Sequence, residues 1–373
     1  MSISNKAAYL TRPDGSPIEV LSAPVPKPEQ NEVVIRTHAL AINPVDAVKQ
    51  VMGKMMFGWL EYPLILGSDV AGEVVETGPG ARFQKGDRVF AIALGLDRRG
   101  KGSSEGAFQE LVVTRDFLTA KLPDNISFAD AAVLPLGACT AACGLFQKDQ
   151  LALEPLRVGK DKARTGKTIL IWGASTSVGN NAVQLAVAAG YDVIATASPK
   201  SWDVVRRLGA VDVFDYHSPD AVSKIVAAFE GRQCAGAMAI GQGSQGKCID
   251  IVAQIPGATQ FVSQISIDTP GPFPRTILPR VPFVAKFLWS KLAMQLKVWR
   301  SGVRCKFVFG SDIVEWDAEE GMVFRFLEDA LQRAEYVTSP QPMVVGNGLN
   351  KIQQGLDVIS EGVSGKKVVV ALD

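Results

Sequence analysis

A short run of small residues between an apolar strand and a helix is the clearest chemical signal in the sequence. Residues 168–172 are predicted to form a strand, residues 173–179 read Gly-Ala-Ser-Thr-Ser-Val-Gly, and residues 180–189 are predicted to form a helix. The N–H groups at the start of a helix lack intrahelical partners, and the helix dipole adds about half a positive charge there. Because such groups hold a pyrophosphate well, the pattern predicts a dinucleotide-binding site.

Two glycines of this turn have separate roles in the prediction. Gly173 provides the tight turn after the strand, and Gly179 allows the helix to approach the strand closely. The middle glycine that dinucleotide sites usually carry is absent, because Thr176 and Ser177 stand in its place. The strand–turn–helix context supports the assignment despite that departure. A glycine-containing turn in an unrelated α/β domain is the alternative.

The end of the second predicted strand, residues 192–197, indicates which cofactor the site prefers. NAD sites usually place an aspartate or glutamate there to bind the ribose 2′-hydroxyl. This chain has Ser198, Pro199 and Lys200 instead, and a 2′-phosphate is attracted by an ammonium where a carboxylate would repel it. Tyr216, after the third predicted strand, is a further candidate contact. We therefore predict NADPH as the cofactor; the alternatives are that Lys200 is an ordinary surface lysine and Tyr216 a half-buried aromatic residue.

The elements that position this site follow two kinds of pattern. Residues 1–135 contain short β-type runs punctuated by glycine and proline, which is typical of a mostly antiparallel β domain. From residue 168 strands and helices alternate, as in a parallel sheet with crossover helices. A helix over 322–333 and a final strand over 367–372 follow. Since 373 residues exceed what one core usually accommodates, we expect an α/β protein of two domains.

Composition and charge argue against several classes of function. The chain carries 39 basic and 38 acidic residues, so its net charge of +1 gives no electrostatic reason to expect nucleic-acid binding. Five scattered cysteines do not form a secreted disulfide framework, and the first residues lack the apolar run of a signal peptide. The sequence has no uninterrupted apolar stretch of about 18 residues, so a membrane span is not predicted. We expect a cytoplasmic protein that acts on a small-molecule substrate.

Ordered motifs along nearly the whole chain resemble those of the medium-chain dehydrogenase/reductase superfamily, nearest its quinone-reductase and enoyl-reductase branch. The motifs are NPVD at 43–46, PLILGSDVAGEV at 63–74, GDRV at 86–89, GAFQE at 106–110, LPLGACTAA at 134–142, the strand–turn–helix unit, LGAVDVFDY at 208–216 and SGKKVVV at 364–370. Within that branch the chain looks most like fungal cellobiose-induced oxidoreductases described as zinc-binding. It is similar, more distantly, to fungal trans-acting enoyl reductases.

This resemblance implies both the fold and the site. It implies a GroES-like β domain formed by both chain ends, residues 1–137 and 315–373, and a Rossmann domain with a doubly wound parallel sheet over residues 138–314. The residues that it implies beside the nicotinamide are Asn43, Thr140, Val262, Ser263 and Gln264. The other implied cofactor contacts are Gly173, Ser175, Thr176, Ser177, Val178 and Gly179 at the pyrophosphate, Ser198, Lys200 and Tyr216 at the 2′-phosphate, and Lys366 or Lys367 from the C-terminal strand.

A catalytic zinc ion is not expected. Tetrahedral zinc needs three protein ligands drawn from cysteine, histidine and carboxylate. The zinc-dependent relatives carry a cysteine in the segment that reads NPVD here, and a Gly-His-Glu where this chain has Gly67, Ser68 and Asp69. The only two histidines of the chain, His38 and His217, lie in neither segment and are expected to be structural or surface residues.

The cysteines do not change this expectation. A structural zinc site needs four clustered cysteines, and the corresponding lobe, about residues 93–106, contains none. Cys139 and Cys143 are spaced to lie on one face of a helix, where they are expected to pack.

Without a metal to polarise an alcohol oxygen, reduction of a double bond conjugated to a carbonyl becomes the expected reaction. The enolate oxygen then needs a hydrogen-bond donor, and the α-carbon needs a proton. Many reductases of this branch place a tyrosine about a dozen residues after the Asn-Pro motif, where this chain has none. Tyr62 is the nearest tyrosine, and it either donates this hydrogen bond or proton, or simply packs in the core. Asn43 and Thr140 are the other candidate catalytic residues.

Several readings of the function stay open. The reduced bond is alternatively that of a quinone or a carbonyl, and the chain is alternatively a non-catalytic NADPH-binding sensor or partner protein. A group of apolar residues follows the Asn-Pro motif and either lines a substrate pocket or belongs to the core. Its members are Met52, Met55, Met56, Phe57 and Trp59.

Residues 281–299 form a further segment of interest. Their apolar side chains recur at helical spacing and are interrupted by three lysines, so the segment predicts a basic amphipathic helix. Four roles for such a helix stay open. It could cover a cleft, lie at a subunit interface, dock on a biosynthetic partner or touch a membrane surface. A homodimer is expected by analogy with the superfamily alone.

Overall fold

The computed structural model describes residues 4–13, 15–95, 97–156, 164–269, 271, 280–317 and 321–372. The chain divides into two compact units, residues 1–139 with 311–373 and residues 140–310. We call them the terminal unit and the central unit. Their bounds lie close to the domain boundaries expected after residues 137 and 314. The charged stretch 154–167, which the sequence predicts to be a linker or a long loop, falls partly on residues 157–163, which lie outside the described residues.

The strands and helices are numbered along the chain. The strands are β1 (Asn5–Leu10), β2 (Glu19–Ala23), β3 (Glu32–Ile42), β4 (Leu64–Ile65), β5 (Asp69–Thr77), β6 (Arg88–Ile92), β7 (Leu111–Arg115), β8 (Thr119–Lys121), β9 (Lys167–Trp172), β10 (Asp192–Thr196), β11 (Asp212–Phe214), β12 (Gln233–Ala239), β13 (Phe261–Gln264), β14 (Arg304–Phe307), β15 (Gln341–Asn347) and β16 (Lys366–Ala371). The α-helices are α1 (Pro44–Met56), α2 (Phe128–Ala131), α3 (Pro135–Phe146), α4 (Ser177–Ala188), α5 (Trp202–Arg207), α6 (Ala221–Ala228), α7 (Ser244–Gln254), α8 (Arg280–Ser301), α9 (Ile313–Trp316), α10 (Met322–Gln332) and α11 (Ile352–Glu361). Short 3₁₀ turns occupy Gly102–Glu105, Asp116–Leu118, Pro199–Ser201, Gly310–Asp312 and Leu349–Lys351.

The terminal unit is built around two β-sheets. The larger sheet has the order β15-β16-β3-β5-β6-β8, with β7 also paired to β3, and the smaller one has the order β2-β1-β4. Strand β16 pairs antiparallel with β3, so the C-terminal end of the chain completes the sheet begun by the N-terminal part. A core of Val, Leu, Ile and Ala side chains from both chain ends fills this unit. Its stability therefore depends on contacts between segments that are distant in sequence.

The pairing register of the larger sheet determines which polar residues meet. Val368 of β16 lies opposite Ile42 of β3, and Ala41 of β3 lies opposite Asp69 of β5. Residues that flank these pairs, Asn43 and Lys367, therefore come to the same end of the sheet as Asp69. This end also carries the start of α1, because α1 begins directly after Asn43.

The central unit contains one parallel six-stranded sheet in the order β11-β10-β9-β12-β13-β14. In sequence order this is the 3-2-1-4-5-6 arrangement of a doubly wound sheet, and the strand order reverses between β9 and β12. Ligands of such sheets bind at the carboxyl ends of the strands next to that reversal. The predicted α/β class, with a β unit formed by both chain ends and a doubly wound parallel sheet between them in sequence, is confirmed.

Two element boundaries differ from the sequence prediction for identifiable reasons. Helix α4 begins at Ser177, three residues before the predicted start at Asn180, because the Thr176 side chain caps it. One of the short β-type runs of the sequence spans residues 108–114 and predicts a strand there, but strand β7 begins only at Leu111. The N–H of Phe108 donates instead to the carbonyl of Leu66 in a loop contact.

Residues 128–146, which include α2 and α3, are long and apolar enough to cross a bilayer, but 78% of this stretch is buried inside the protein. Core helices have the same composition, because they are surrounded by apolar side chains on all sides. Cys139 and Cys143 of α3 are both fully buried and form no disulfide bond in the described part of the chain, in agreement with the predicted packing role.

Candidate functional site

The turn after β9 can contain only glycine at two positions. Gly173 has a φ of +84°, and a Cβ added there would lie 2.5 Å from the carbonyl oxygen of Ile240. A Cβ added at Gly179 would lie 2.3 Å from the carbonyl oxygen of Gly173. These contacts are too short for any side chain, so the roles predicted for both glycines hold at the level of the backbone.

Helix α4 begins in a way that leaves its first turn open to an anion. The Thr176 hydroxyl accepts from the N–H of Gly179 at 3.0 Å and donates to the carbonyl of Gly173 at 2.9 Å. Thr176 is exposed, and Ser175, Ser177 and Val178 are half-buried. These residues therefore form an accessible rim at a helix N-terminus, where a pyrophosphate is favoured by the helix dipole.

The residues predicted to contact a 2′-phosphate lie at the same edge of the central sheet. Ser198 is half-buried just after β10, and Lys200 is exposed in the 3₁₀ turn that follows. The Trp202 indole N–H donates to the carbonyl of Ala197 at 2.9 Å and fixes this turn. Tyr216 follows β11, the strand next to β10, and its ring lies 4.0 Å from that of His217. A hydroxyl, an ammonium and an aromatic ring thus surround the carboxyl ends of two adjacent strands.

Sequence reasoning missed a second lysine at this edge. Lys247, on the first turns of α7, is exposed, and its Nζ donates to the carbonyl of Tyr216 at 3.2 Å. The same ammonium lies 5.2 Å from the ring centroid of Trp172, the last residue of β9. Its position follows from the sheet order, because α7 begins beyond the end of β12, which is adjacent to β9. A search for basic residues at the start of each helix after a parallel strand would have found it.

Strand β13 carries three residues that were predicted to border the nicotinamide, Val262, Ser263 and Gln264. Val262 and Ser263 are fully buried, and the Ser263 hydroxyl is hydrogen-bonded to the Gly144 carbonyl at 2.8 Å and to Gln150 Oε1 at 3.0 Å. These two side chains belong to the core of the central unit. Gln264 is the last residue of the strand and is also buried. The place of this segment beside the nicotinamide stays a prediction, and any contact from Val262 or Ser263 would come from the backbone.

In the terminal unit, Asn43, Asp69 and Lys367 form a buried polar group that we call the Lys367 cluster. Lys367 Nζ lies 2.8 Å from Asp69 Oδ2, and the amide of Asn43 donates to the same oxygen at 2.8 Å. Lys367 Nζ also donates to Asn43 Oδ1. The other oxygen of Asp69 accepts from the N–H of Leu136, in α3, at 2.6 Å. The cluster therefore joins β16, β5 and the starts of α1 and α3.

This arrangement gives the two C-terminal lysines different surroundings. Either Lys366 or Lys367 was predicted to reach the cofactor, and that stays a prediction; Lys367 is buried and pairs with Asp69. Lys366, the first residue of β16, is exposed, whereas residues 367–370 are all buried. Sequence reasoning treated Asp69 only as a member of a segment without zinc ligands. Its pairing with a lysine 298 residues away in sequence has no local signal.

The donor chemistry of the Lys367 cluster does not suit a metal. An ammonium is a donor with no lone pair to coordinate a cation, and its positive charge opposes that of Zn²⁺. Among the residues that the structure describes, no group of three or more His, Cys, Asp and Glu side chains could hold a metal ion. His38 instead stacks on Phe128 with ring centroids 4.7 Å apart, and His217 Nδ1 lies 3.1 Å from Asp215.

A second pair of buried charges, Asp46 and Lys49, lies on α1. Asp46 Oδ2 accepts from the N–H of Asn43 at 2.8 Å, and Asp46 Oδ1 has no hydrogen-bond partner in the described part of the chain. Burial raises the pKa of Asp46 to about 6. Burial also lowers the pKa of Lys49 to about 8, and its Nζ lies 5.4 Å from the ring centroid of Phe57. Both residues therefore favour their neutral forms more than they would in water.

We expect this burial to make the stability depend on pH. The pKa of Asp46 rises from 3.8 to about 6 on folding, so the folded state holds an extra proton within that window. The free energy of unfolding should therefore fall by about 2–3 kcal/mol as pH rises through it. The Asp46→Asn variant does not titrate at this position, and its side-chain oxygen can still accept from the N–H of Asn43. The difference in free energy of unfolding, variant minus wild type, should therefore increase by about 2–3 kcal/mol between pH 4 and pH 7.

Urea unfolding at several pH values measures this difference. The exposed Asp124→Asn substitution is the matched control, and its stability relative to the wild type should stay constant over the same range. A constant difference for Asp46→Asn as well would contradict the prediction.

Tyr62 packs against the apolar core of the terminal unit and is half-buried. Its hydroxyl lies 3.1 Å from the position that a Cβ at Gly53 would take. Of the apolar set expected nearby, Phe57 and Trp59 form an edge-to-face pair with centroids 5.5 Å apart, and Met56 and Trp59 are exposed in part. The side chain of Met55 lies outside the described residues. Thr140 is buried on α3.

Comparison with known proteins places these features in a family. The alcohol dehydrogenase GroES-like domain matches residues 29–124. "Dehydrogenase pigH" of Monascus ruber is 43% identical over 370 residues, which cover 99% of this chain and all of that protein. The chain belongs to the medium-chain dehydrogenase/reductase superfamily. "Zinc-binding alcohol dehydrogenase domain-containing protein cipB" of Emericella nidulans is 37% identical, with 100% of this chain and 99% of that protein covered.

The chain is also similar to proteins that are named as enoyl reductases. "Trans-enoyl reductase himH" of Aspergillus japonicus is 33% identical over 378 residues, with 100% of this chain and 98% of that protein covered. The crystal structure of CurK enoyl reductase has the same fold, with a TM-score of 0.69, 19% identity and 99% of each chain covered. The predicted resemblance to this superfamily is therefore confirmed, and the chain is an oxidoreductase of the kind that uses a nicotinamide cofactor.

Proposed function

We propose that this superfamily member is a zinc-free, NADPH-dependent reductase of a carbon–carbon double bond conjugated to a carbonyl, acting on a small or medium-sized apolar substrate. The observation that supports it most is the Lys367 cluster. Its ammonium neutralises Asp69, a carboxylate in one of the two segments where zinc-dependent relatives carry ligands. The site is thereby electrostatically complete without a metal ion.

The choice of NADPH is supported by the edge of the central sheet. Ser198, Lys200 and Lys247 offer a hydroxyl and two ammonium groups near the ends of β9 and β10, and residues 197–202 include no carboxylate. A 2′-phosphate carries the charge that such groups bind. When bound, NADPH supplies the hydride. The turn from Gly173 to Gly179 would hold its pyrophosphate.

The residues of this chain would bind, orient and shield the reactants. Asn43 is fixed in one orientation, because its amide N–H donates to Asp69 and its Oδ1 accepts from Lys367. Its side chain thereby links the residue before α1 to β5 and β16, and its place beside the nicotinamide stays a prediction. The hydroxyls of Thr140 and Tyr62 are the candidates for donating a hydrogen bond to the carbonyl oxygen as negative charge develops on it. The relatives named as trans-enoyl reductases support reduction of a double bond.

The test is a substrate panel. The purified protein is given NADPH or NADH with an enone, an enal, a quinone or a saturated ketone, in the presence of a chelator, and the absorbance of the reduced cofactor is followed. We expect consumption of NADPH with the enone and the enal, and much less with NADH. Consumption with the quinone or the ketone alone would replace the proposed reaction, and tight NADPH binding without turnover would indicate a non-catalytic protein.

Lys247→Ala is expected to raise the KM for NADPH about tenfold and to leave the KM for NADH unchanged. A charge-assisted hydrogen bond contributes about 1.5–3 kcal/mol, and 1.4 kcal/mol corresponds to a factor of ten. Lys247→Arg keeps the charge and is the matched control, for which we expect less than a threefold change. Steady-state kinetics with both cofactors measure the effect. An equal change for NADPH and NADH would show that Lys247 does not contact the 2′-phosphate.

A further inference from the structure

Helix α8 of the central unit has two apolar faces. One face packs on the protein, where Met294 and Val298 contact the core of the central unit. The opposite face is exposed, and its two tryptophans, Trp289 and Trp299, are 73% and 78% accessible. The large apolar side chains of this outer face are Val281, Val284, Leu288, Trp289, Leu292, Leu296 and Trp299. A face of this kind requires an explanation, because exposed contiguous apolar patches mark interaction sites.

The outer face forms one continuous stripe. Apolar residues recur every three or four positions from Val281 to Trp299, which places them on one side of an α-helix. At 1.5 Å per residue the stripe is about 27 Å long. It therefore covers 19 of the 22 residues of α8.

The charge of α8 decides between the occupants that could cover this stripe. Residues 280–301 include five lysines and arginines and no aspartate or glutamate, and of these Lys297 is paired with Asp250 of α7 at 2.6 Å. Lys286 and Arg300 are exposed. Two copies of the helix packed against each other would bring these like charges together, which opposes a symmetric dimer through the stripe. An anionic surface is the complementary occupant.

We propose that α8 binds flat on an anionic phospholipid bilayer and holds the enzyme at a membrane surface. A basic helix with tryptophan and leucine on its apolar face has the composition of interfacial membrane helices. The stripe would enter the boundary between headgroups and acyl chains, with Trp289 and Trp299 at the headgroup level, where indole rings are favoured. Exposed basic side chains would contact the phosphates. This inference is independent of the proposed reaction.

Flotation of the full-length protein with vesicles tests it. Vesicles of phosphatidylcholine alone are compared with vesicles containing about 30% phosphatidylserine, and tryptophan emission is recorded with both. We expect at least about tenfold stronger binding to the anionic vesicles and a blue shift of the emission, because binding combines apolar burial with electrostatic attraction. Absence of binding to the anionic vesicles would overturn the proposal.

Two matched double variants separate the stripe from the net charge. Leu288→Glu with Leu292→Glu alters the stripe, and Ser290→Glu with Ala293→Glu adds the same charge at exposed positions of α8 outside it. The first should lose at least about tenfold in binding and the second much less. NADPH binding by both variants verifies that they are folded. Equal binding by the two variants would contradict the proposal. Conversion of a wild-type dimer to a monomer by the first variant, without vesicle binding by the wild type, would assign the stripe to a second copy of the chain.

Discussion

Replacing Lys367 with methionine is expected to lower the free energy of unfolding by about 3–5 kcal/mol, because it leaves a buried carboxylate without its counter-charge. Asp69 is completely buried, and Lys367 is one of three donors around it, with the Asn43 amide and the Leu136 N–H. The two neutral donors do not offset the desolvation of a full negative charge. Urea unfolding followed by far-UV circular dichroism measures the loss.

Two further variants make this result specific to the cluster. Lys366→Met, at the exposed neighbouring position of β16, should change stability by less than about 0.5 kcal/mol. Asp69→Asn combined with Lys367→Met removes both charges and keeps an acceptor for Leu136, so about half of the lost stability should return. If Lys367→Met costs less than about 1 kcal/mol, the ion pair does not stabilise the terminal unit as described.

Replacing Ser198 with aspartate is expected to lower kcat/KM for NADPH about 100-fold, which corresponds to about 2.7 kcal/mol. The new carboxylate would stand at the end of β10, where it repels a 2′-phosphate and accepts a hydrogen bond from a ribose 2′-hydroxyl. For the same reason, kcat/KM for NADH should stay constant or rise. Initial rates with both cofactors at one enone concentration measure the change in preference.

Ser198→Ala is the matched control for this substitution. It removes the hydroxyl without adding a charge, so the loss with NADPH should be less than about tenfold. A decrease by the same factor for both cofactors in Ser198→Asp would mean that the end of β10 does not recognise the 2′-phosphate. In that case NADPH would have to be selected elsewhere on the central unit.

The parts of the fold that sequence predicts best are those set by neighbouring residues. The strand at 168–172, the turn at 173–179 and the following helix depend on local apolar periodicity and on two glycines that no other residue can replace. Their order in the chain also predicts a parallel sheet, since each crossover helix returns the chain in the same direction. The location of the dinucleotide site in the chain therefore follows from local patterns alone.

The polar clusters could not be predicted in this way. The Lys367 cluster joins residues 43, 69 and 367, and only the register of β3 with β5 and β16 brings them together. Lys247 lies beside Trp172 and Tyr216 because α7 follows a strand adjacent to β9. The Ser263 hydroxyl is hydrogen-bonded to Gly144, a contact that the family resemblance did not indicate. Each of these outcomes depends on tertiary pairing, which local patterns do not contain.

The most direct test of the proposed reaction uses NADPH with deuterium at C4, a simple enone and a chelator, with the product examined by NMR. We expect a saturated ketone that carries one deuterium on the former β-carbon and a solvent proton on the α-carbon, with one NADP⁺ formed for each product molecule. Deuterium on the carbonyl carbon of an unsaturated alcohol, or loss of turnover on addition of the chelator, would contradict a zinc-free reductase of conjugated double bonds.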